Sequence, residues 1–258
     1  VEWDEKGNTT RLTGTHENIT ERKRSEIAQK VIYNISNAVM TTATLDELYM
    51  RIRESLGMVI DTTNCFLALY NQEHDTLTLP FMRDEKDSFT EFPARKTLTS
   101  YVINTGKTQL IDREREALLT EQGLIEPVGT PCVSWLGVPL RLQDKIIGVF
   151  VVQSYNEDMV FSEPDAKLLE FASDQIALAI NRKQFQDNIR ISQESQRRIF
   201  EASPDPMIVV DTGAGITDFN TSFLQVFNMS KEEAYGLNVL DFLLPEEREK
   251  GIRNFNLT

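Results

Sequence analysis

Apolar residues recur with helical spacing at both ends of the central region of this chain and cluster with strand-like density between them. From Ile27, the positions Val31, Ile35 and Val39 fall on one helical face. Thr44 with Glu47 then forms a capping signature ahead of Leu48, Ile52, Leu56 and Val59, because a hydroxyl and a carboxylate at this spacing satisfy orphan N–H groups of a first turn. The pattern predicts two helices joined by a tight turn. An earlier start signal, Asn18 with Glu21, opens the first helix, and the charged run Glu21-Arg22-Lys23-Arg24 makes it long enough to project past a globular body and pair with a second copy. Ahead of it, residues 1–15 hold short β-capable runs around Asp4-Glu5-Lys6-Gly7-Asn8, which predicts a hairpin.

Residues 65–70 and 76–80 are β-type runs flanking the polar loop Asn71-Gln72-Glu73-His74-Asp75, a second hairpin. Residues 136–142 and 146–155 flank Gln143-Asp144-Lys145 and form a third. The unbroken apolar stretch from Ile146 to Val152 places its strand at the centre of a sheet covered on both faces. Between these hairpins, residues 98–104 read as a short helix ended by Gly106, and residues 112–131 as a long polar loop with Pro and Gly. A loop of that length in a compact domain is functional or mobile, so a lid is expected there.

Ser162, Pro164 and Asp165 start another helix through Leu169, Ala172, Ile176 and Ile180. No Gly or Pro intervenes before Pro204, so this rod extends roughly 58 Å at 1.5 Å per residue and is suited to carrying movement between domains. A new domain opens with Ser203-Pro204-Asp205-Pro206, a strand over 207–210, the turn Asp211-Thr212-Gly213-Ala214-Gly215 and a helix capped by Ser230 and Glu233. The sequence ends at Thr258 before enough strands have appeared to close a sheet, and it begins without Met, so it is read as a segment of a longer protein.

A length of 258 residues suits one full domain with smaller flanking pieces. Forty acidic against 27 basic residues, a net charge of −13, give no electrostatic reason to approach nucleic acid or an anionic membrane. The longest apolar run is too short to span a bilayer and no signal-peptide layout is present, so a cytoplasmic location is expected, with the parent protein free to be membrane-tethered. Cys65 and Cys132 form no C-x-x-C and read as core thiols, and His16 and His74 share no ligand spacing, so no metal site is expected. His16-Glu17 precedes its helix and is followed by no nucleotide-binding segment. Gly213 and Gly215 lack the third glycine of a dinucleotide fingerprint, where Asp218 stands. With no G-x-S-x-G, H-E-x-x-H or P-loop, catalytic machinery is not visible in this segment.

The segment Ser134-Trp135-Leu136-Gly137-Val138-Pro139-Leu140, followed by Ile147-Gly148-Val149 and by Phe161-Ser162-Glu163-Pro164-Asp165, resembles the GAF domain of bacterial sensor proteins. The order helix, helix, hairpin, helix, long loop, hairpin, long helix over residues 27–183 agrees with it. Gly14-Thr15-His16-Glu17-Asn18-Ile19-Thr20-Glu21-Arg22-Lys23 resembles the exit of a PAS domain, with Asn18 where that family usually has Asp; Asn is an equally good helix cap. Ser203-Pro204-Asp205-Pro206-Met207-Ile208-Val209-Val210-Asp211 with Phe219-Asn220 resembles the first half of another PAS domain.

These resemblances imply an α+β fold: a GAF-like central antiparallel sheet with helices packed on one face and long N- and C-terminal signalling helices. They divide the chain into a PAS/PAC remnant (residues 1–24), the GAF domain (25–185), a connecting signalling helix (186–202) and the N-terminal half of a PAS domain (203–258). They imply a non-catalytic sensory input module of a bacterial signal-transduction protein, a sensor histidine kinase in the first place, with a diguanylate cyclase or phosphodiesterase as the alternative parent. A small effector would bind in the GAF domain and be relayed through a homodimer held by the N- and C-terminal helices. The cyclic-nucleotide signature of the family, Asn-Lys, Phe, Asp-Glu, is here Asn156-Glu157, Phe161, Asp165-Ala166, without its Lys and Glu, and neither cysteine has the adjacent histidine of bilin-binding relatives. No particular cofactor is therefore expected.

Elements that border the family pocket carry Phe66, Phe81, Tyr101, Cys132 and Trp135, the candidate ligand-binding set, with plain core packing as the competing reading. Trp135 is the leading candidate, because a buried indole N–H needs a partner. Two rival functions stay open: a spacer and dimerisation element whose pocket is filled by its own side chains, and a cysteine enzyme like the GAF-related methionine sulfoxide reductases. The second requires Cys65 or Cys132 to be exposed and reactive.

Overall fold

The computed structural model describes residues 2, 3, 6, 9–11, 20–71, 73–244 and 247, and the chain divides into two units, Val1–Gln184 and Phe185–Thr258. His16-Glu17, the Asn18 helix-start signal and most of the first hairpin turn lie outside the described residues. The strands of that hairpin, β1 (Glu2–Trp3) and β2 (Thr9–Arg11), pair antiparallel as expected.

The first unit follows the polar pattern closely at its start. Helix α1 (Thr20–Thr41) buries Val31, Ile35, Ala38 and Val39. Helix α2 (Leu45–Leu56) is capped by Thr44, whose hydroxyl accepts from the Glu47 backbone N–H, while the Glu47 carboxylate accepts from Ala43 N at 2.7 Å. Its buried face of Leu48, Tyr49, Ile52 and Leu56 stabilises the unit by about 1.5–3 kcal/mol per large apolar side chain.

Strands β3 (Asn64–Asn71), β4 (Thr76–Arg83), β5 (Glu91–Pro93), β6 (Gln109–Asp112), β7 (Ser134–Leu142) and β8 (Lys145–Ser154) form one antiparallel sheet in the order β5-β4-β3-β8-β7-β6. The apolar strand β8 is central, as its composition predicts. One face of the sheet, through Leu67, Leu136, Val138, Leu140, Phe150 and Val152, packs on α1, α2 and the start of α5 (Glu163–Ala202). The opposite face, through Phe66, Ala68, Leu77, Leu79, Val149 and Val151, carries two further helices, α3 (Leu98–Thr105) and α4 (Arg113–Glu121). The layer of long helices is thus where it was expected, and a lighter layer covers the other side.

Two local departures reshape the second face. Residues 112–131 are not a loop throughout: Asp112 caps α4 by accepting from Arg115 N, so only residues 122–131 are left as a lid. In the β3–β4 ladder, Leu67 pairs with Phe81 but Leu69 pairs with Thr78, which inserts one extra residue on β4 around Leu79-Pro80. Proline, which has no ladder N–H to lose, is compatible with that bulge. The insertion reverses the inside–outside alternation, so Leu77 and Leu79 face α3 while Phe81 faces Tyr49 on the other side, with ring centroids 6.1 Å apart.

Helix α5 runs without interruption for 40 residues, about 60 Å. At its start the Asp165 carboxylate accepts from Ser162 N and Oγ. Lys183, only 6 % exposed, donates from Nζ to the Thr42 carbonyl at the end of α1, at 2.9 Å.

In the second unit, β9 (Ile208–Val210) and β10 (Ile216–Phe219) pair antiparallel and are followed by α6 (Thr221–Phe227), α7 (Lys231–Ala234) and a 3-10 turn at Val239–Phe242. Ser230 and Glu233 form a complete reciprocal capping box on α7. The small core is Ile216, Phe219, Phe223 and Ala234.

Candidate functional site

On the second face of the sheet of the first unit, α3, α4 and residues 122–131 surround a partly open cavity of about 60 Å³. The sheet contributes Phe66, Trp135 and Gln153 as floor, Phe89 and Phe92 stand on the β4–β5 side, Thr97 and Thr99 come from the start of α3, Glu116 from α4, and residues 126–132 form the roof. Trp135 lies flat along its own strand, over Gly137: a side chain at position 137 would collide with the indole ring. Glycine there is what lets this rotamer exist.

The roof is held by a polar network. The Asp87 carboxylate accepts from Thr130 N at 2.8 Å and from Thr130 Oγ1 at 2.9 Å. Asp84 accepts from Gln153 Nε2 at 2.6 Å and from the Tyr155 hydroxyl at 2.9 Å, and it also receives the backbone N–H groups of Lys86 and Asp87. Burial, then the hydrogen bond to Asp84 and its charge, push the Tyr155 phenol far above its usual range, so it acts here as a neutral donor. On the far side of the lid, Lys96 pairs with Glu126 at 3.2 Å, and the Lys96 carbonyl accepts from Glu126 N.

Of the five candidate residues, the structure brings Phe66, Cys132 and Trp135 together in the cavity wall. Phe81 is displaced to the opposite face by the Pro80 bulge. Tyr101 packs at the margin of the second core without lining the cavity, because α3 turns Leu98, Thr99 and Val102 inward instead. Cys65 also belongs to the far core. Both thiols are buried: burial pushes Cys65 up to about 11, and burial assisted by the nearby Glu116 charge pushes Cys132 up to about 12. A thiolate nucleophile is disfavoured at both.

Sequence reasoning missed Thr99 and Glu116. Thr99 and Trp135 are each 3 % exposed, and neither the Thr99 hydroxyl nor the Trp135 indole N–H makes a hydrogen bond among the described residues; the fully buried side-chain atoms without a partner there are Thr76 Oγ1 and Thr108 Oγ1, which lie outside the cavity. Glu116 is half-buried with an unpaired carboxylate among the described residues, and burial raises its pKa. Among the described residues no group of His, Cys, Asp and Glu is arranged to hold a metal ion, and no helix is long and apolar enough to cross a membrane.

The GAF domain family model matches residues 42–181, more than half of the chain, and the PAS domain family model matches residues 194–257. Among solved structures, the GAF domain from an Acinetobacter phosphoenolpyruvate-protein phosphotransferase superposes with a TM-score of 0.50 at 15% identity, covering 67% of this chain and 99% of that one. The GAF domain of the corresponding Coxiella burnetii phosphotransferase gives 0.52 at 14% identity, covering 64% and 98%. At these identities the likeness speaks for the fold alone. No curated protein matches the chain. The sheet order, the cavity on its second face and the family match agree: this chain belongs to the GAF domain family, with a PAS domain following in the same polypeptide.

Proposed function

We propose that the chain is a non-catalytic, cytoplasmic input module of a bacterial signalling protein, and that its GAF domain holds a small effector in the cavity beneath residues 122–131. The observation that carries this reading is the cavity itself, lined by Phe66 and Trp135 and bordered by the Thr99 hydroxyl and the Glu116 carboxylate, which make no hydrogen bond among the described residues. Natural cores leave few such groups unpaired, and a ligand or ordered water accounts for them. The segmentation proposed with it is 1–24, 25–185, 186–202 and 203–258, and a histidine kinase is the proposed output of the parent.

Relay is proposed to run through a homodimer. On α1, Tyr33 and Met40 are exposed seven residues apart, and on α5 the apolar positions Phe171, Leu178, Phe185 and Ile199 recur at multiples of seven. That period is the one by which two helices bury a shared seam. A second copy of this chain is the occupant that satisfies both helices at once.

The cavity is small beside the ~300–1,000 Å³ of common ligand sites, which favours the spacer reading to the extent that side chains already fill the space. Native mass spectrometry of the purified chain against its denatured mass separates the two. Added mass on a dimer that disappears on denaturation supports effector binding. A bare dimer, with no shift of the Trp135 indole signal in cell extract, supports the spacer.

A further inference from the structure

The charges around the cavity are one-sided. Asp87, Glu116 and Glu126 line it, and no Lys, Arg or His does. Three cations on the flanking elements are engaged elsewhere: Lys96 with Glu126, Arg113 with Glu157 at 2.6 Å, and Lys86 over the Tyr155 ring at 4.2 Å. Two of the three carboxylates are also engaged, Asp87 by Thr130 and Glu126 by Lys96. Glu116 alone of the three has no partner among the described residues, and its charge reaches the Cys132 thiol across the cavity wall.

We infer that this cavity takes a small organic ammonium compound carrying one hydrogen-bonding group, with its cationic nitrogen on the Glu116 carboxylate and its polar end at Thr99 and the Trp135 indole N–H. The inference rests on reading the cavity as an effector site. Three observations carry it. An unpaired carboxylate in a part-buried wall calls for a cationic N–H donor, the strong class of hydrogen bond. Thr99, 3 % exposed as a residue and with a hydroxyl that makes no hydrogen bond among the described residues, marks a second polar point in the same wall. The faces of Phe66 and Trp135 suit a cation and repel an anion, since ring quadrupoles present negative potential.

Size narrows the class. At roughly 10–15 Å³ per water, the cavity of about 60 Å³ has room for about four to six non-hydrogen atoms while the lid stays closed. A phosphate-bearing ligand is opposed both by that volume and by the absence of a basic residue in the lining.

The test titrates three molecules of nearly one shape into the intact chain: ethanolamine, ethylene glycol and glycolate, which keep a hydroxyl and vary the other end from cation to neutral to anion. The readout is the indole ¹H–¹⁵N signal of Trp135, assigned by its loss in Trp135→Phe. Ethanolamine is expected to bind about tenfold or more tightly than ethylene glycol, with glycolate weakest, and Glu116→Gln is expected to remove that preference while leaving the unliganded spectrum in place. Equal or tighter binding of ethylene glycol or glycolate overturns the ammonium assignment but keeps the cavity as a ligand site. No response to any of the three overturns the assignment and counts against the effector reading as well. Unchanged ethanolamine binding in Glu116→Gln overturns the role of Glu116.

Discussion

Asn220 ties together the start of the second unit's strand pair and helix through five side-chain hydrogen bonds. It is fully buried, and its side-chain oxygen accepts from Met207 N at 2.9 Å and Phe223 N at 3.0 Å. Its amide nitrogen donates to the carbonyls of Asp205 at 2.9 Å, Phe200 at 3.0 Å and Ser203 at 3.4 Å. One side chain thus caps α6, ties down the entry to β9 and satisfies a carbonyl in the last turn of α5, a group every helix end leaves orphaned. In Asn220→Ala the cap costs about 1 kcal/mol, and each of two or three backbone groups left buried and unpaired costs about 1 kcal/mol more. The sum, about 3–4 kcal/mol, is a large share of what a domain this small possesses. Asn220→Ser restores the cap and should recover about 1 kcal/mol of it; Asn220→Asp keeps both accepted bonds but turns a carboxylate toward three carbonyls and should fare no better than Ala. Urea unfolding followed by hydrogen exchange of residues 207–227 measures this. An Asn220→Ala chain whose second unit unfolds within about 1 kcal/mol of the unsubstituted one would refute the reasoning.

Four further outcomes are expected. Neither Cys65 nor Cys132 should react with Ellman's reagent within minutes at pH 8 in the folded chain, since both thiols titrate well above that pH; rapid labelling of Cys132 would reopen a redox role. Asp87→Ala removes both bonds to Thr130 and should raise hydrogen exchange of residues 125–133 by about tenfold to a hundredfold, with the sheet unchanged. Lys183→Met leaves the Thr42 carbonyl without the Lys183 ammonium and should destabilise the first unit by about 1–3 kcal/mol in thermal unfolding. In the second unit, hydrogen bonds from Thr221 hold the pKa of Glu201 below its ordinary 4.5, and those from Ser230 do the same for Glu233. Carboxylates with depressed folded-state pKa values stabilise above the unfolded value and lose that contribution as pH falls through the folded one, so the second unit should melt earlier below about pH 4.5, and Glu233→Gln should flatten that slope.

The elements that were legible in the sequence are those whose signal is repeated. The α1 and α2 faces, the β7–β8 hairpin and the length of α5 each rest on many residues in phase, and all stand in the structure. What escaped rests on single residues. Strands β5 and β6 are three and four residues long and exist because β4 and β7 offer edges to them. Helix α4 buries only Leu119 of its nine residues, so no apolar period announces it, although Asp112 followed by a stretch free of Gly and Pro was a usable cap signal. Phe81 was placed at the cavity because its strand borders the pocket in the family it resembles, and Pro80 was the sign that the strand's alternation would break before it. Thr99 and Glu116 are polar residues on short helices, where one-dimensional spacing cannot tell a residue facing solvent from one facing a cavity.

The cavity also limits what a signal can do. A ligand of about four non-hydrogen atoms binds with at most about 6 kcal/mol at a ceiling of ~1.5 kcal/mol per atom. Driving a two-state dimer from 1:99 to 99:1 needs about 5.5 kcal/mol of preference for one state. A ligand of that size would have to withhold nearly all of its binding energy from the resting state, which a pocket with only Glu116 and Thr99 to discriminate does not favour. The Asp87–Thr130 bonds act on a different quantity, the balance between roof states before any ligand is bound. A balance that starts near even needs far less than 5.5 kcal/mol to tip, and those bonds help set where it starts. The Asp87→Ala chain then becomes the decisive comparison: its lid equilibrium should shift without any ligand, and its response to ethanolamine should shrink even though Glu116 is intact.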